Sequence, residues 1–331
     1  MTKIYMYGVS EQERESAQRW GEENNIELFL DEDILMADTV DRCKGYDGVS
    51  TYRCARLDDA VYPKLKEFGI KNIAQRMAGF DPYNLELAKE NDVIISNVPA
   101  YSPESIAEYS VGQAINGIRN LYTINHHSLN HDFRESLFIR GSRVGGKTVA
   151  ILGTGRIGQA TARLFKGLGC KVIGYDLYPN DKLGDLLEYR DTPEDCVKEA
   201  DIISLHMPAT DDTYHMFDAD MFKLCKKGAI LINAGRGVLV DTEALLDALD
   251  EGHLSFAALD TYEHEFEYVK HDYQTKAITD QTFLRLLHHP LVSYTPHIAY
   301  YTDEAVQNMV FHALNATKSV IETGDTKLRV N

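Results

Sequence analysis

Three apolar runs in the second half of the chain each end in a residue able to do chemistry. One closes with an arginine set between glycines, Ala234-Gly235-Arg236-Gly237. The next closes with Asp260-Thr261-Tyr262-Glu263-His264-Glu265, and the third with Tyr294-Thr295-Pro296-His297. A guanidinium held by glycines can fork onto a carboxylate with two parallel hydrogen bonds. An imidazole can give or take a proton near neutral pH, and a carboxylate beside it keeps it charged and oriented, raising its pKa. Reduction of a 2-keto acid needs that combination: a cation for the acid group, a proton donor for the oxygen that becomes an alkoxide, and a partner for the donor. Arg236, His297 and Glu265 take these roles here, with Glu263 as a rival carboxylate, since two side chains two residues apart exchange places if the loop runs differently. Singly, each has a blander reading, an arginine in a surface turn or one histidine among twelve. Together at successive strand ends they form a coherent set.

The reductant has its own signal. Val149-Ala150-Ile151-Leu152 leads into Gly153-Thr154-Gly155-Arg156-Ile157-Gly158, a helical stretch follows from Gln159 to Leu168, and a second apolar run ends in Asp176, 18 residues after Gly158. Gly153 permits the tight turn, Gly155 lets the backbone approach a pyrophosphate, and Gly158 lets helix and strand pack closely, while the helix N-terminus supplies partial positive charge. Asp176 can accept hydrogen bonds from a ribose and repels a 2′-phosphate, which favours NAD over NADP. Alone, the glycine spacing is weak, and a methyltransferase can use a similar loop. Its strand–turn–helix–strand setting and the three strand-end residues argue for a dinucleotide.

These residues require a scaffold of parallel strands whose carboxyl ends face one way. Short apolar runs predict strands at Lys3–Gly8, Ile26–Asp31, Gly48–Tyr52, Ile70–Arg76 and Asp92–Val98, with helices at Glu11–Asn24 and Tyr62–Phe68 among them. The pattern restarts at Thr148–Gly153, Lys171–Asp176, Asp201–His206, Ala229–Ala234, Phe256–Asp260 and Leu291–Thr295. Continuous apolar strands alternating with helices imply parallel sheets buried on both faces, hence two doubly wound α/β domains. Between the two series the spacing predicts a long helix capped by Ser102, opened by Pro103 and carrying Ile106, Tyr109, Ser110, Ala114, Ile118 and Leu121. A last helix is predicted over Asp303–Thr323, stopping at Gly324.

Length and composition agree. A chain of 331 residues makes roughly two domains at about 150 residues each. A formal net charge of -17 repels phosphate backbones and anionic lipid, so neither nucleic acid nor a membrane surface is an expected partner. Five scattered cysteines (Cys43, Cys54, Cys170, Cys196, Cys225) without a C-x-x-C pair, no signal peptide and no bilayer-spanning run lead to the expectation of a cytoplasmic protein. No metal site is expected: His127, His131 and Glu135 read as a solvated helix surface, and Asp31–Asp33 as a solvated turn.

Motifs along nearly the whole chain resemble the D-isomer-specific 2-hydroxyacid dehydrogenases, in particular the D-lactate and D-2-hydroxyisocaproate dehydrogenase branch of lactic-acid bacteria. They are Asn97-Val98-Pro99-Ala100-Tyr101-Ser102-Pro103, the Gly153–Gly158 loop, His206-Met207-Pro208, Asn233-Ala234-Gly235-Arg236-Gly237, Asp260 to Glu265, and Thr295-Pro296-His297-Ile298-Ala299-Tyr300-Tyr301-Thr302. The resemblance implies a Rossmann NAD domain over 101–299 inserted into a flavodoxin-like substrate domain of 1–100 and 300–331, an active site in the cleft between domains, and a homodimer formed through the NAD domain. The implied reaction is pyruvate + NADH + H⁺ to D-lactate + NAD⁺, with a D-2-hydroxy acid as the product class. Arg236, Glu265 and His297 match the catalytic positions. Arg156, Ile157, Asp176, Met207, Pro208, Thr213, Ala234, Gly235, Arg236 and Asp260 match cofactor-contacting positions, joined by His206 and His297. Tyr52, Ala78, Gly79, Tyr101 and Tyr300 match substrate-contacting positions, with Arg236 and His297.

The sequence also departs from the pattern. Thr213 stands where relatives often have Asn, Tyr300 where lactate enzymes often have Phe, and Met77 replaces a polar residue before Ala78-Gly79. Neither Phe133 nor Phe138 restores a Trp common in that stretch. These changes touch the pocket wall and so bear on substrate size. Tyr52 is expected to fill the pocket and favour pyruvate. The alternatives are a preference for larger 2-keto acids such as 2-ketoisocaproate or phenylpyruvate, and a non-enzymatic NAD-sensing scaffold of the same fold.

Overall fold

The computed structural model describes residues 2–52, 55–136, 139–269 and 271–331. The chain divides into two compact units, Met1–Ser102 with Tyr301–Asn331, and Pro103–Tyr300. Following the chain, the first unit begins β1 (Lys3–Tyr7), α1 (Glu11–Asn24), β2 (Glu27–Leu30), β3 (Gly48–Thr51), α2 (Val61–Phe68), β4 (Asn72–Gln75), α3 (Leu85–Glu90) and β5 (Ile94–Ser96). Its strands pair in the order β2-β1-β3-β4-β5, all parallel. Helix α1 starts where the sequence places it because Ser10 and Glu13 form a reciprocal capping box, and it stops at Asn25 in the left-handed region. The acidic run before β3 is more than a solvated turn: Asp31 accepts a hydrogen bond from the Tyr5 hydroxyl at 2.6 Å, and Arg42 bridges Asp31 and Asp33.

The second unit comprises α4 (Pro103–Ile118), α5 (Leu121–Leu129), β6 (Thr148–Leu152), α6 (Arg156–Gly167), β7 (Lys171–Tyr175), β8 (Glu188–Tyr189), α7 (Pro193–Glu199), β9 (Ile202–Leu205), α8 (Ala219–Leu224), β10 (Ala229–Asn233), α9 (Thr242–Asp250), β11 (Leu254–Leu259), α10 (Gln281–His288) and β12 (Val292–Tyr294). Its strand order is β12-β11-β10-β9-β6-β7-β8, again wholly parallel. Alternate residues of β6 enter two separate cores: Ala150 and Leu152 pack beneath one helical layer with Leu205 and Leu231, Val149 and Ile151 beneath the other with Phe165 and Ile232. This is the burial on both faces that the apolar runs require.

The chain then returns to the first unit as α11 (Asp303–Thr323), bounded by a Thr302 cap that accepts from the Ala305 amide and by Gly324 in the left-handed region. Both sheets are thus doubly wound, as expected. Four details differ from the sequence reading. The long helix ends at Ile118, and Leu121 opens a new one, because Asn120 takes φ 53 and breaks the ladder. Strand β8 was missed, two residues being too short to show alternation. Helix α6 begins at Arg156, three residues before the apolar periodicity does. His288-His289-Pro290 reads in the sequence as a loop before the last strand, but His288 ends α10. His131 lies beyond α5 with φ 60, so His127, His131 and Glu135 share no helix face, and no cluster fit to hold a metal exists among the described residues.

Candidate active site

The glycine loop lies where the strand order of the second sheet reverses, β9 on one side of β6 and β7 on the other. Such a switch point opens a crevice beyond the carboxyl ends. Gly153 takes φ 94, and a Cβ there would sit 2.6 Å from the His206 carbonyl, so the loop can lie this close to the end of β9 only with glycine. Gly155 N-caps α6 with no side-chain cap, and the space over its Cα is open. The first amides of α6 therefore have no side-chain acceptor, which suits the pyrophosphate of a dinucleotide. Arg156 and Ile157 form the first turn behind them. Asp176, just past β7, is pinned across the loop: its Oδ2 accepts from the Thr154 amide at 2.6 Å, and its Oδ1 from the Tyr178 amide at 2.9 Å.

Beyond β9, the His206 amide donates to Leu152 O at 2.7 Å, and the ring Nε2 lies 2.9 Å from Ser204 Oγ. Burial pushes this imidazole down to about 4, so it is neutral at physiological pH. Met207 is buried. Thr213 spends its hydroxyl inside its own loop, donating to Pro208 O at 2.8 Å.

Strands β10, β11 and β12 are neighbours, and their carboxyl ends present the three strand-end residues along one edge. After β10, Asn233 shapes the turn: its Oδ1 accepts from the Gly235 amide and its Nδ2 donates to Arg236 O at 2.9 Å. The exposed Arg236 side chain makes one hydrogen bond, Nη1 to Gly235 O, and no ion pair with a carboxylate among the described residues. After β12, His297 takes φ 57, a left-handed conformation uncommon outside glycine. Its amide donates to Asp260 O at 2.7 Å, and Nδ1 lies 2.8 Å from Glu265 Oε1. Glu265 is nearly buried, and its second oxygen accepts from the Tyr262 amide.

Asp260 underpins this turn. It accepts from the Ile298 and Ala299 amides and from Thr295 Oγ1, itself 2.6 Å from the Tyr109 hydroxyl. Burial raises the Asp260 pKa, and these donors offset part of the rise. The rival carboxylate is resolved: Glu263 Oε2 lies 2.9 Å from His215 Nε2, so the histidine it meets is His215.

In the first unit, Tyr52 follows β3, Ala78 and Gly79 follow β4, and Tyr101 follows β5, all at that sheet's carboxyl edge. Asn97 donates to Ala78 O at 2.6 Å and Asn308 to Tyr101 O at 2.7 Å, fixing those loops. Tyr300 is the last residue of the second unit. Phe138 and Cys54 lie outside the described residues; Cys43, Cys170, Cys196 and Cys225 are buried thiols.

Sequence reasoning missed Arg76 beside Ala78-Gly79, His215, and the Tyr109–Thr295 link to Asp260. Only Arg76 carried a signal, an arginine closing a buried strand.

A family model described as "D-isomer specific 2-hydroxyacid dehydrogenase, NAD binding domain" matches residues 111–299. The chain is 54% identical over 329 residues to a D-lactate dehydrogenase of Streptococcus agalactiae, covering 99% of this chain and all of that one. The solved D-lactate dehydrogenase with NAD+ from Lactobacillus jensenii superposes with TM-score 0.94 at 36% identity over the whole of both chains. The structure of D-2-hydroxyisocaproate dehydrogenase superposes with TM-score 0.95 at 34% identity over 99% of each. The chain belongs to the D-isomer specific 2-hydroxyacid dehydrogenase family of NAD-dependent oxidoreductases.

Proposed function

We propose that this enzyme interconverts pyruvate and D-lactate with NAD as cofactor. The observation that carries the reading is the His297–Glu265 contact of 2.8 Å on the sheet edge that also carries the exposed Arg236. The full-length likeness to relatives named D-lactate dehydrogenase supports the substrate. Bound NADH supplies the hydride that reduces the carbonyl carbon. Arg236 forks onto the substrate carboxylate with two N–H donors and fixes which end of the keto acid faces the histidine. His297 donates a proton from Nε2 to the carbonyl oxygen, and Glu265, accepting from Nδ1–H, holds the ring in place. In the oxidative direction the same Nε2 takes the hydroxyl proton. Gly153, Gly155, Arg156, Ile157, Gly158, Asp176, His206, Met207, Pro208, Thr213, Ala234, Gly235 and Asp260 form the cofactor's surroundings in this reading, and Tyr52, Ala78, Gly79, Tyr101 and Tyr300 the pocket wall. The second unit is thereby the NAD domain and the first the substrate domain.

The reading extends to a cytoplasmic homodimer with no nucleic-acid or membrane partner. The net charge of -17 supports the last two, and no described helix is long and apolar enough to cross a membrane. Exposed Leu121, Tyr122, Leu129 and Phe133 support association through the α5 region. The test is loss of NADH absorbance with pyruvate, 2-ketoisocaproate and phenylpyruvate in turn, followed by chiral analysis of the product. Pyruvate is expected to give the highest kcat/KM and D-lactate as product. L-lactate, or NADH binding without turnover, overturns the reading.

A further inference from the structure

Two residues before Glu265, the same turn builds a second histidine–carboxylate pair that the mechanism does not use. Glu263 is largely buried, its side chain 12% exposed, and each of its oxygens is committed. Oε2 lies 2.9 Å from His215 Nε2, and Oε1 accepts from the Thr242 amide at the first position of α9. These partners belong to two loops zipped together. The His215 amide donates to Val238 O at 2.8 Å, Phe217 N to Leu239 O at 3.0 Å, and Asp241 N to Phe217 O at 3.1 Å. One loop descends from Thr213, and the other is the turn that carries Arg236.

The Arg236 turn also rests directly on the peptide of Glu263. A Cβ on Gly237 would collide with the Tyr262 carbonyl and the Glu263 nitrogen, so the two backbones are already in contact. His215 takes φ 46, a left-handed conformation that a non-glycine residue holds only when its surroundings impose it. Its ring stacks on Tyr214 at 4.1 Å, and its Nδ1 lies 4.0 Å from Asp241. Arg236 has no carboxylate partner among the described residues to orient its side chain, so its turn, shaped from within by Asn233, is also held from below by the Glu263 peptide.

We infer that Glu263 and His215 are positioning residues for Arg236: the Glu263 carboxylate locks the 213–217 loop and the start of α9 onto the turn, and so sets how well the guanidinium meets the substrate carboxylate. This rests on the proposed role of Arg236. Neither residue touches the reacting atoms, so the effect falls on binding of the keto acid and leaves proton transfer intact.

The test measures KM for pyruvate, kcat, NADH Kd and Tm for Glu263→Ala, Glu263→Gln, His215→Ala, His215→Gln and Arg236→Lys in the full chain. Glu263→Ala is expected to raise KM about tenfold, with kcat within about twofold of the parent and any change in NADH Kd smaller than that in KM, since a buried charge-assisted hydrogen bond is lost. Glu263→Gln retains an acceptor for Thr242 and an amide able to pair with His215 Nε2, and restores most of the affinity. His215→Ala raises KM about threefold, and His215→Gln less. Should Glu263→Ala fail to fold, the two His215 variants decide. A lower Tm with unchanged KM in the Glu263 and His215 variants overturns the inference if Arg236→Lys still raises KM. If Arg236→Lys also leaves KM unchanged, the carboxylate-binding role of Arg236 falls, and the role of the pair falls with it.

Discussion

Each sheet places an arginine just past the carboxyl end of a central strand, and the two are used in opposite ways. Arg76 follows β4 and is fully buried. Its guanidinium bonds Glu13 at 2.6 Å, the Tyr7 and Gly8 carbonyls at 2.9 Å each, and Ser50 Oγ at 3.3 Å. Arg236 follows β10, is exposed, and among the described residues bonds only its neighbour's carbonyl. The first holds α1 and two strand ends together within its own unit. The second leaves nearly all its donors without a partner among the described residues. The same residue type at the same topological place becomes structural or ligand-binding according to whether the fold provides a buried carboxylate to meet it.

Four experiments test that contrast, from largest effect to smallest. His297→Gln removes the proposed proton donor on the edge that carries Arg236, and kcat is expected to fall about 10²–10⁴-fold; stopped-flow measurement should find NADH binding unchanged. Arg76→Ala leaves Glu13 buried without its partner, at a cost of about 3–5 kcal/mol, and urea titration should show it as a lower midpoint. Arg236→Lys should leave that midpoint in place and raise KM for pyruvate about 10–100-fold, because an ammonium cannot reproduce the fork; equal loss of stability in the two arginine variants would erase the contrast.

The smallest effect concerns pH. Burial alone would raise the Glu13 pKa, but the charge and hydrogen bonds of Arg76, with those of Ser10, outweigh it and hold the carboxyl below its ordinary range. A folded pKa below the unfolded value of about 4.3 means the stabilisation is complete above the unfolded value and fades as pH falls through the folded one. The Tm gap between the parent and Glu13→Gln should therefore be widest near neutrality and narrow in acid by calorimetry. A gap that widens in acid would contradict the direction.

Local signals carried much of the architecture into the sequence. Helix α11 runs over Asp303–Thr323 as predicted because Thr302 and Gly324 bound it chemically, and the apolar strands could be read because both their faces are buried. What escaped depended on partners distant along the chain. Arg76 meets Glu13 across 63 residues and Glu263 meets His215 across 48, and no local pattern encodes such a pairing. Spacing alone left Glu263 as a rival to Glu265, since the Tyr262–Glu265 turn decides which of the two faces His297. Asn120 broke a helix by taking a left-handed conformation that the apolar spacing through Leu121 did not announce.

The route of the chain has a consequence for biosynthesis. The second unit is contiguous, so everything it needs has emerged from the ribosome once residue 300 has. The first unit's early strands and α1 carry Ile4, Met6, Ala17 and Trp20, whose cover includes Val310 and Leu314 of α11, and the Trp20 indole donates to Asn315 at 2.9 Å. Those apolar side chains are translated some three hundred residues before their lid, so the nascent chain must shelter a half-made layer while its interior neighbour matures.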